Sequence, residues 1–419
     1  MGLDNNSPIL FLSYFYGVQG CCPAEWADDK VDALSKMNRK IILVSALSSK
    51  KCSLSNVKHF RVPSFSWTDF KHEIDELKLR GDSLTQWKIL LYFPFAFIFG
   101  NFMDFLQKIA VGGNGGGKWA WAITCFLCAF PLMIFYRCKV IFSTGGPASS
   151  HLAGGGISLI TGKRLICELQ DPLVGREIGR NENSSRLLGV VEKFVVKASS
   201  KIVYVTKLAA QEAKERYPDF SSKVCAIYPG SKKFIDQKID ASSDSKNDKL
   251  EMIHLGTLYS SRNLNTIIQA IDELISENKI YEGQISIFNL GEIYGEIKEH
   301  HLSRSYVKQR SIMPRELAVT EASTKMVSLL IQHADDRSQT TIPYKTYDYL
   351  NIGNPILGLT NSEELQHLLH DSGNIAENVS DIPNIKIVLL DLLHNYSIYK
   401  NKAKNNNINI DEQLNKLFE

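Results

Sequence analysis

Three runs of this sequence carry residue types and spacings able to do chemistry on a charged substrate. In Thr340-Thr-Ile-Pro-Tyr-Lys345-Thr-Tyr-Asp348-Tyr-Leu-Asn-Ile-Gly353-Asn-Pro355 a loop enters a short helix. Lys345 and Asp348 stand three apart and so share one helical face. A cation and a carboxylate placed this way suit a diphosphate and the vicinal hydroxyls of a ribose; a plain salt-bridged helix would use the same pair. In Ile253-His-Leu-Gly256-Thr257-Leu-Tyr-Ser-Ser-Arg262-Asn263 an apolar strand ends in glycine, and one arginine precedes a helix that Asn263 can cap. Gly256 permits close approach of a phosphate, and Arg262 can offer it two parallel donors. An ordinary surface arginine is the plainer account. The third run, Phe142-Ser-Thr-Gly-Gly-Pro-Ala-Ser149-Ser-His151, joins a strand to a helix whose N-terminus favours an anion. The next strand ends at the same rim in Asp171-Pro172, so His151 and Asp171 could face one cleft. Ser150 capping a helix and Asp171 starting a turn would explain the same residues.

Other patterns carry less. Gly112 to Gly117-Lys118 has the glycine spacing of a phosphate-binding loop, but Trp119 stands where a magnesium-binding Ser or Thr belongs. Cys125-Phe-Leu-Cys128 lies in an apolar run with no second pair, which argues against a metal. His300-His301 reads as part of a solvated helix face. No Asp-x-Asp pair is present to hold a metal on a diphosphate, so the expectation is chemistry with no metal and no cofactor.

The elements that must position these runs alternate. Apolar runs of strand length occur at Ile9–Phe15, Lys40–Val44, Val140–Phe142, Arg164–Glu168 and Lys201–Val205, with helical patterns at Leu187–Ala198 and Leu208–Arg216. Residues 230–249 are polar and lack periodicity, as a linker does. Alternation restarts with strands Met252–Leu255, Gln284–Leu290, Met326–Ile331 and Pro355–Leu359, and helices Leu264–Leu274, Tyr344–Leu350 and Glu363–His370. Such alternation means parallel sheets covered on both faces. The expected fold class is α/β, with two Rossmann-like doubly wound domains facing a cleft. The expected division is an acceptor domain at 1–229, a linker at 230–249, a nucleotide-binding domain at 250–384 and a helical tail at 385–419.

Length and composition agree. The 419 residues suit two domains. A net charge of +3 is too small to argue for nucleic acid. The eight cysteines form no disulfide framework and suit a reducing cytosol. The start of the chain lacks the basic n-region of a cleavable signal.

Two apolar stretches between residues 87 and 142 stand apart: Ile89–Met103 and Trp119–Tyr136. Each contains a proline, and Lys88, Lys108, Lys118, Arg137 and Lys139 flank them. The first is short for a span, and the second is near the lower limit of roughly 18 residues. Core helices, shallow insertion into one leaflet and a transmembrane hairpin all fit. Peripheral contact with lipid, through rings such as Trp119, Trp121 and Tyr136, is the expectation.

Taken together, the runs resemble the family-4-like retaining glycosyltransferases of the GT-B fold, especially those of bacterial polysaccharide assembly. The resemblance extends from about Phe11 to about Leu390, and the Ile342-Pro-Tyr-Lys345 to Pro355-Ile run carries most of it. It implies that Arg262 and Lys345 hold the donor diphosphate beside Gly256 and Thr257, and that Asp348 holds the ribose. It implies that Ser311-Ile-Met313-Pro314 lies near the base. On the acceptor side it implies Gly17 and Gly20 of the Gly17-Val-Gln-Gly20 loop, with Ser149 and His151. The chain departs from the pattern where Asp348 stands for Glu, Gln170 for Arg, and Gly145-Gly146 for the first proline of the turn.

The function so implied is transfer of a sugar from a nucleotide diphosphate to a hydroxyl of a glycan or lipid-linked acceptor. It would proceed with retention, at the inner face of the cell membrane. An inverting version would draw its base from His151 or Asp171. The alternatives are a sugar-nucleotide epimerase on the same plan and a degenerate partner of another transferase.

Overall fold

The computed structural model describes residues 7–18, 21–81, 86–111, 117–176, 182–233, 248–403 and 408–419. The chain divides into two compact units: unit 1 is Met1–Tyr228 with Ile410–Glu419, and unit 2 is Pro229–Asn409.

Unit 1 begins β1 (Ile9–Leu12), α1 (Cys22–Lys36), β2 (Ile41–Ala46), β3 (Val57–Val62), α2 (Trp67–Leu79), α3 (Gln86–Val111) and α4 (Trp121–Phe135). It continues β4 (Val140–Gly145), α5 (Ser149–Thr161), β5 (Arg164–Leu169), α6 (Glu182–Ala198), β6 (Lys201–Tyr204), α7 (Lys207–Arg216) and β7 (Val224–Ala226). These strands form one parallel sheet in the order β3-β2-β1-β4-β5-β6-β7. Burial on both faces explains the consecutive apolar residues Ile9–Leu12 of β1, Ile41–Val44 of β2 and Val140–Phe142 of β4.

Unit 2 contains β8 (Leu250–Leu255), α8 (Asn265–Ser276), β9 (Ile285–Leu290), α9 (Ile297–Leu302), β10 (Val307–Arg310), α10 (Arg315–Ser323) and β11 (Val327–Ile331). It then has α11 (Lys345–Ile352), β12 (Ile356–Leu359), α12 (Glu363–Asp371), β13 (Ile375–Glu377) and α13 (Ile382–Lys402). Its parallel sheet has the order β10-β9-β8-β11-β12-β13. In each sheet the order reverses beside its first strand: between β1 and β4 in unit 1, and between β8 and β11 in unit 2. Ligands of open α/β sheets bind beyond the carboxyl ends of strands at such points.

The expected tail at 385–419 is not one element. Helix α13 belongs to unit 2, where Ile385, Leu389 and Leu392 join the core. Helix α14 (Ile410–Phe418) belongs to unit 1. Its Ile410, Leu414, Leu417 and Phe418 follow helical spacing and pack with Ile9, Phe11, Leu34 and Phe142.

The two apolar stretches have different fates. Helix α4 is a core helix along one face: Trp121, Cys125, Ala129 and Met133 are buried at intervals of four against Leu10, Val44, Ile141 and Ile157. Trp121 is wholly buried and donates its indole N–H to Val62 O at 3.1 Å. Its expected place at a lipid interface is therefore wrong, because strand β3 already satisfies its polar edge. Lys118 is half-buried and pairs with Asp69 at 2.9 Å, so it is not a free cation for headgroups. Over residues 92–110, whose side chains are described, helix α3 instead buries little besides Ala96, Gly100 and Gln107. Gly100 lets it cross the start of α2, where a Cβ would come within 2.7 Å of Trp67 N. Asp104 fastens it there, accepting from Ser66 Oγ at 2.5 Å and from Thr68 N at 2.9 Å. Phe95, Phe97, Ile98, Phe102, Phe105 and Ile109 remain exposed. Among the described residues, no helix is long and apolar enough to cross a membrane.

Candidate active site

In unit 2 the turn after β8 is the centre of the site. Gly256 has φ +104°, a conformation that glycine adopts at little cost. The turn after β9 presses on it: a Cβ on Gly291 would stand 2.4 Å from Gly256 O. The chain then makes a tight reversal in which Tyr259 and Arg262 exchange backbone hydrogen bonds of 2.9 and 3.0 Å, with Ser260 at φ +51° between them. The Arg262 guanidinium lies over the Tyr259 ring, 5.4 Å from its centroid, and its buried Nε has no hydrogen-bond partner.

Lys345 opens α11 and reaches the same turn. Its Nζ donates to Leu255 O at 2.8 Å and lies 2.5 Å from His254 Nε2. A Cβ on Gly256 would be 4.0 Å from that Nζ, so a group resting on Gly256 would meet the ammonium. The fold thus brings Lys345 and Gly256 together.

The loop after β11 adds residues that sequence reasoning missed. Ser261 Oγ lies 2.9 Å from His333 Nδ1 and donates to Asp335 Oδ2 at 2.6 Å. Arg337 donates to both Asp335 oxygens, at 2.7 and 2.6 Å, and to His333 Nδ1 at 3.2 Å. Hydrogen bonding to Arg337 holds the Asp335 carboxyl well below its usual range. His333 is pushed down to about 4, first by burial and then by the charges of Arg262 and Arg337. The imidazole is therefore neutral near pH 7, and the charges of Arg262 and Lys345 near it suit an anionic ligand, whereas Arg337 is already paired with Asp335.

Asp348 is paired with Arg315. It is nearly buried and takes a two-pronged contact from Arg315, Nη2 to Oδ1 at 2.6 Å and Nε to Oδ2 at 3.0 Å. Arg315 also lies over the Tyr344 ring, 4.9 Å from its centroid. It opens α10 directly after the loop with Met313, which is half-buried. Arg315 had no signal in the sequence beyond following that loop. Thr257 is half-buried beside Gly256.

In unit 1 the corresponding turns follow β1 and β4. Gly17 has φ +67°, and a Cβ there would stand 2.9 Å from Lys50 N. Backbone packing alone therefore explains glycine at this position. Gly20 lies outside the described residues. Ser149 is wholly buried at the start of α5, and its hydroxyl has no partner.

His151 is also wholly buried, with Nδ1 3.0 Å from Ser143 Oγ and 3.1 Å from Cys167 Sγ. Burial pushes its pKa down to about 4. Asp171 is exposed past the end of β5. The two side chains therefore do not share an open surface. Strand β5 also carries a buried ion pair, Lys30 to Glu168 at 3.1 Å, with Thr144 Oγ1 donating to Glu168 at 2.6 Å. Gln170 donates to Thr144 Oγ1 at 3.2 Å, which ties it to that pair.

No family model matches the sequence, and no curated protein matches it either. Solved structures do match along nearly the whole chain. A sucrose-phosphate synthase from Thermosynechococcus elongatus aligns with TM-score 0.61 and 11% identity over 99% of this chain and 95% of its own. HepE of Anabaena, solved in complex with UDP-glucose, aligns with TM-score 0.58 and 11% identity over 98% of each. A putative UDP-N-acetylglucosamine 2-epimerase from Listeria monocytogenes aligns with TM-score 0.54 and 11% identity over 98% of this chain and 95% of its own. With its two parallel sheets, each reversing order beside its first strand, the chain has the GT-B fold of these structures.

Proposed function

We propose that this chain is a glycosyltransferase that moves a sugar from a nucleotide diphosphate sugar to a hydroxyl of a glycan or lipid-linked acceptor. The observation that carries the reading is the meeting of Lys345 and Gly256 at the switch point between β8 and β11, with Arg262 on the loop that follows and near enough for its charge to act on His254 and His333. A diphosphate there has two cations, an open glycine turn and the N-terminus of α11 beside it. Neutralising the departing diphosphate is the largest electrostatic service such a site can provide. Asp348, held by Arg315, is the proposed ribose ligand, since an ionised carboxylate keeps lone pairs beyond those two contacts. Met313 is assigned to the base.

The reaction is proposed to retain configuration and to need no metal. The leaving phosphate takes the acceptor proton, which suits a chain in which His151 is buried and Asp171 is exposed. Unit 1 is the proposed acceptor unit, through the turns bearing Gly17, Gly20 and Ser149. Its exposed face of α3 is proposed to lie against the inner leaflet of the cell membrane, since apolar patches of this kind usually mark an interaction surface. Polysaccharide synthesis at the cell surface is the proposed setting.

A thermal-shift panel of nucleotide sugars tests the donor assignment. Stabilisation by at least one nucleoside diphosphate sugar, lost in Lys345→Ala, is the expected outcome; no stabilisation by any of them contradicts it. The epimerase alternative shares the fold, and it is separated by product formed without an acceptor.

A further inference from the structure

His254 is wholly buried in β8 between Ile253 and Leu255, where the strand needs no polar side chain. Burying an imidazole costs free energy unless its nitrogens find partners. Both do. Nδ1 lies 2.7 Å from Asn289 Oδ1, directly across on β9. Nε2 lies 2.5 Å from Lys345 Nζ.

The partners settle which nitrogen carries the proton. An ammonium only donates, so Nε2 is bare and the proton is on Nδ1. Asn289 agrees: its Nδ2 donates to Gly291 O at 2.9 Å, leaving Oδ1 to accept from the histidine. The donors run in one direction, from Lys345 to His254, to Asn289, to Gly291 O. The chain ends where it began, because Gly291 packs on Gly256 and Lys345 also donates to Leu255 O.

A lysine on its four-carbon stem is a poorly positioned charge unless something orders it. Here two acceptors, the imidazole and the Leu255 carbonyl, order it from one side. From these contacts we infer that His254 is a positioning residue: it holds the Lys345 ammonium against the Gly256 turn, ready for the diphosphate of a nucleotide sugar. This role rests on the donor reading above. It requires the neutral ring, and burial followed by the charge of Lys345 keeps the imidazole well below its usual range. A protonated ring would offer two donors and repel the lysine it now holds.

The test uses the full chain. Ring nitrogen NMR, assigned through loss of the signal in His254→Asn, is expected to show Nδ1 protonated and Nε2 bare. UDP affinity is then measured by calorimetry for the wild type, His254→Asn, Lys345→Met and the double variant. Each single change is expected to weaken binding about tenfold, and the double no further than the worse single, as coupled partners do. The opposite tautomer, additive losses, or an unchanged affinity in His254→Asn overturns the role of His254 while the donor site stands. Absence of UDP binding by the wild type overturns the donor reading and this role together.

Discussion

Arg315 grips Asp348 along one edge of its guanidinium, Nη2 to Oδ1 at 2.6 Å and Nε to Oδ2 at 3.0 Å, so the carboxylate of α11 is set by the first residue of α10. Fork-to-carboxylate geometry of this kind fixes direction as well as energy. Two loops assigned to one nucleotide, those before α10 and α11, are thereby tied to each other.

Asp348→Asn is expected to lose both stability and nucleotide affinity. Breaking a buried pair from one side costs on the order of 3 kcal/mol, which chemical denaturation would read. Arg315→Met is expected to weaken UDP binding as much as Asp348→Asn does. A full-affinity Arg315→Met protein would show that Asp348 needs no such anchor.

Arg262 and Lys345 are assigned to the departing diphosphate. Replacing either by Ala is expected to lower kcat/KM by roughly 2–4 kcal/mol of transition-state stabilisation, the range of a lost electrostatic group. Circular dichroism should stay native, since both side chains are half-buried at the surface of unit 2. Unchanged turnover in both variants removes them from the chemistry.

Much of this was legible in the sequence, and the remainder has physical reasons. Strand-length runs such as Met252–Leu255 and Met326–Ile331 announce buried parallel strands, and strand–helix alternation dictates two doubly wound units. Lys345 and Gly256 were legible because a glycine at a strand end and a cation at a helix start have few other uses together. The partner of Asp348 was not legible, because Arg315 lies 33 residues away in sequence and only the fold brings it near. His254 and His333 were hidden for the same reason: a buried histidine is recognisable only through the atoms that meet its ring. The amphiphilic look of Trp119–Tyr136 misled over Trp121, because composition does not tell which face of a helix meets a sheet.

Glu73 provides a pH signature in unit 1. It accepts from Tyr14 OH at 2.8 Å and Ser64 N at 3.1 Å, and burial pushes its pKa up to about 8. The folded state thus binds a proton more tightly than the unfolded chain. Its contribution to stability is fully present below the ordinary glutamate pKa of about 4.5 and is lost as pH rises through about 8. Glu73→Gln, which imitates the protonated acid, is expected to flatten stability against pH across that window. The slope removed is at most about 1.4 kcal/mol per pH unit. An unaltered slope in Glu73→Gln would place the proton elsewhere.

Membrane contact through α3 predicts sedimentation with anionic vesicles that weakens in high salt, since Lys108 and Arg137 are exposed beside the apolar stretches. Changing Phe95, Phe102 and Phe105 to Ser should release the protein, whereas Trp121 is unsuitable for this test because it is core. Wild-type protein left in the supernatant at low salt would assign the face of α3 to another use.

The most direct measurement of the central claim is sugar transfer itself. Purified protein is incubated with radiolabelled nucleotide sugars, with and without a lipid extract of its host membranes, in the presence of EDTA. The account predicts label moving to the extracted acceptor, with release of nucleoside diphosphate that depends on that acceptor, survives the chelator and disappears in the double variant Arg262→Ala, Lys345→Ala. Label remaining on the nucleotide under every condition, or an epimerised sugar nucleotide formed without any acceptor, would contradict it.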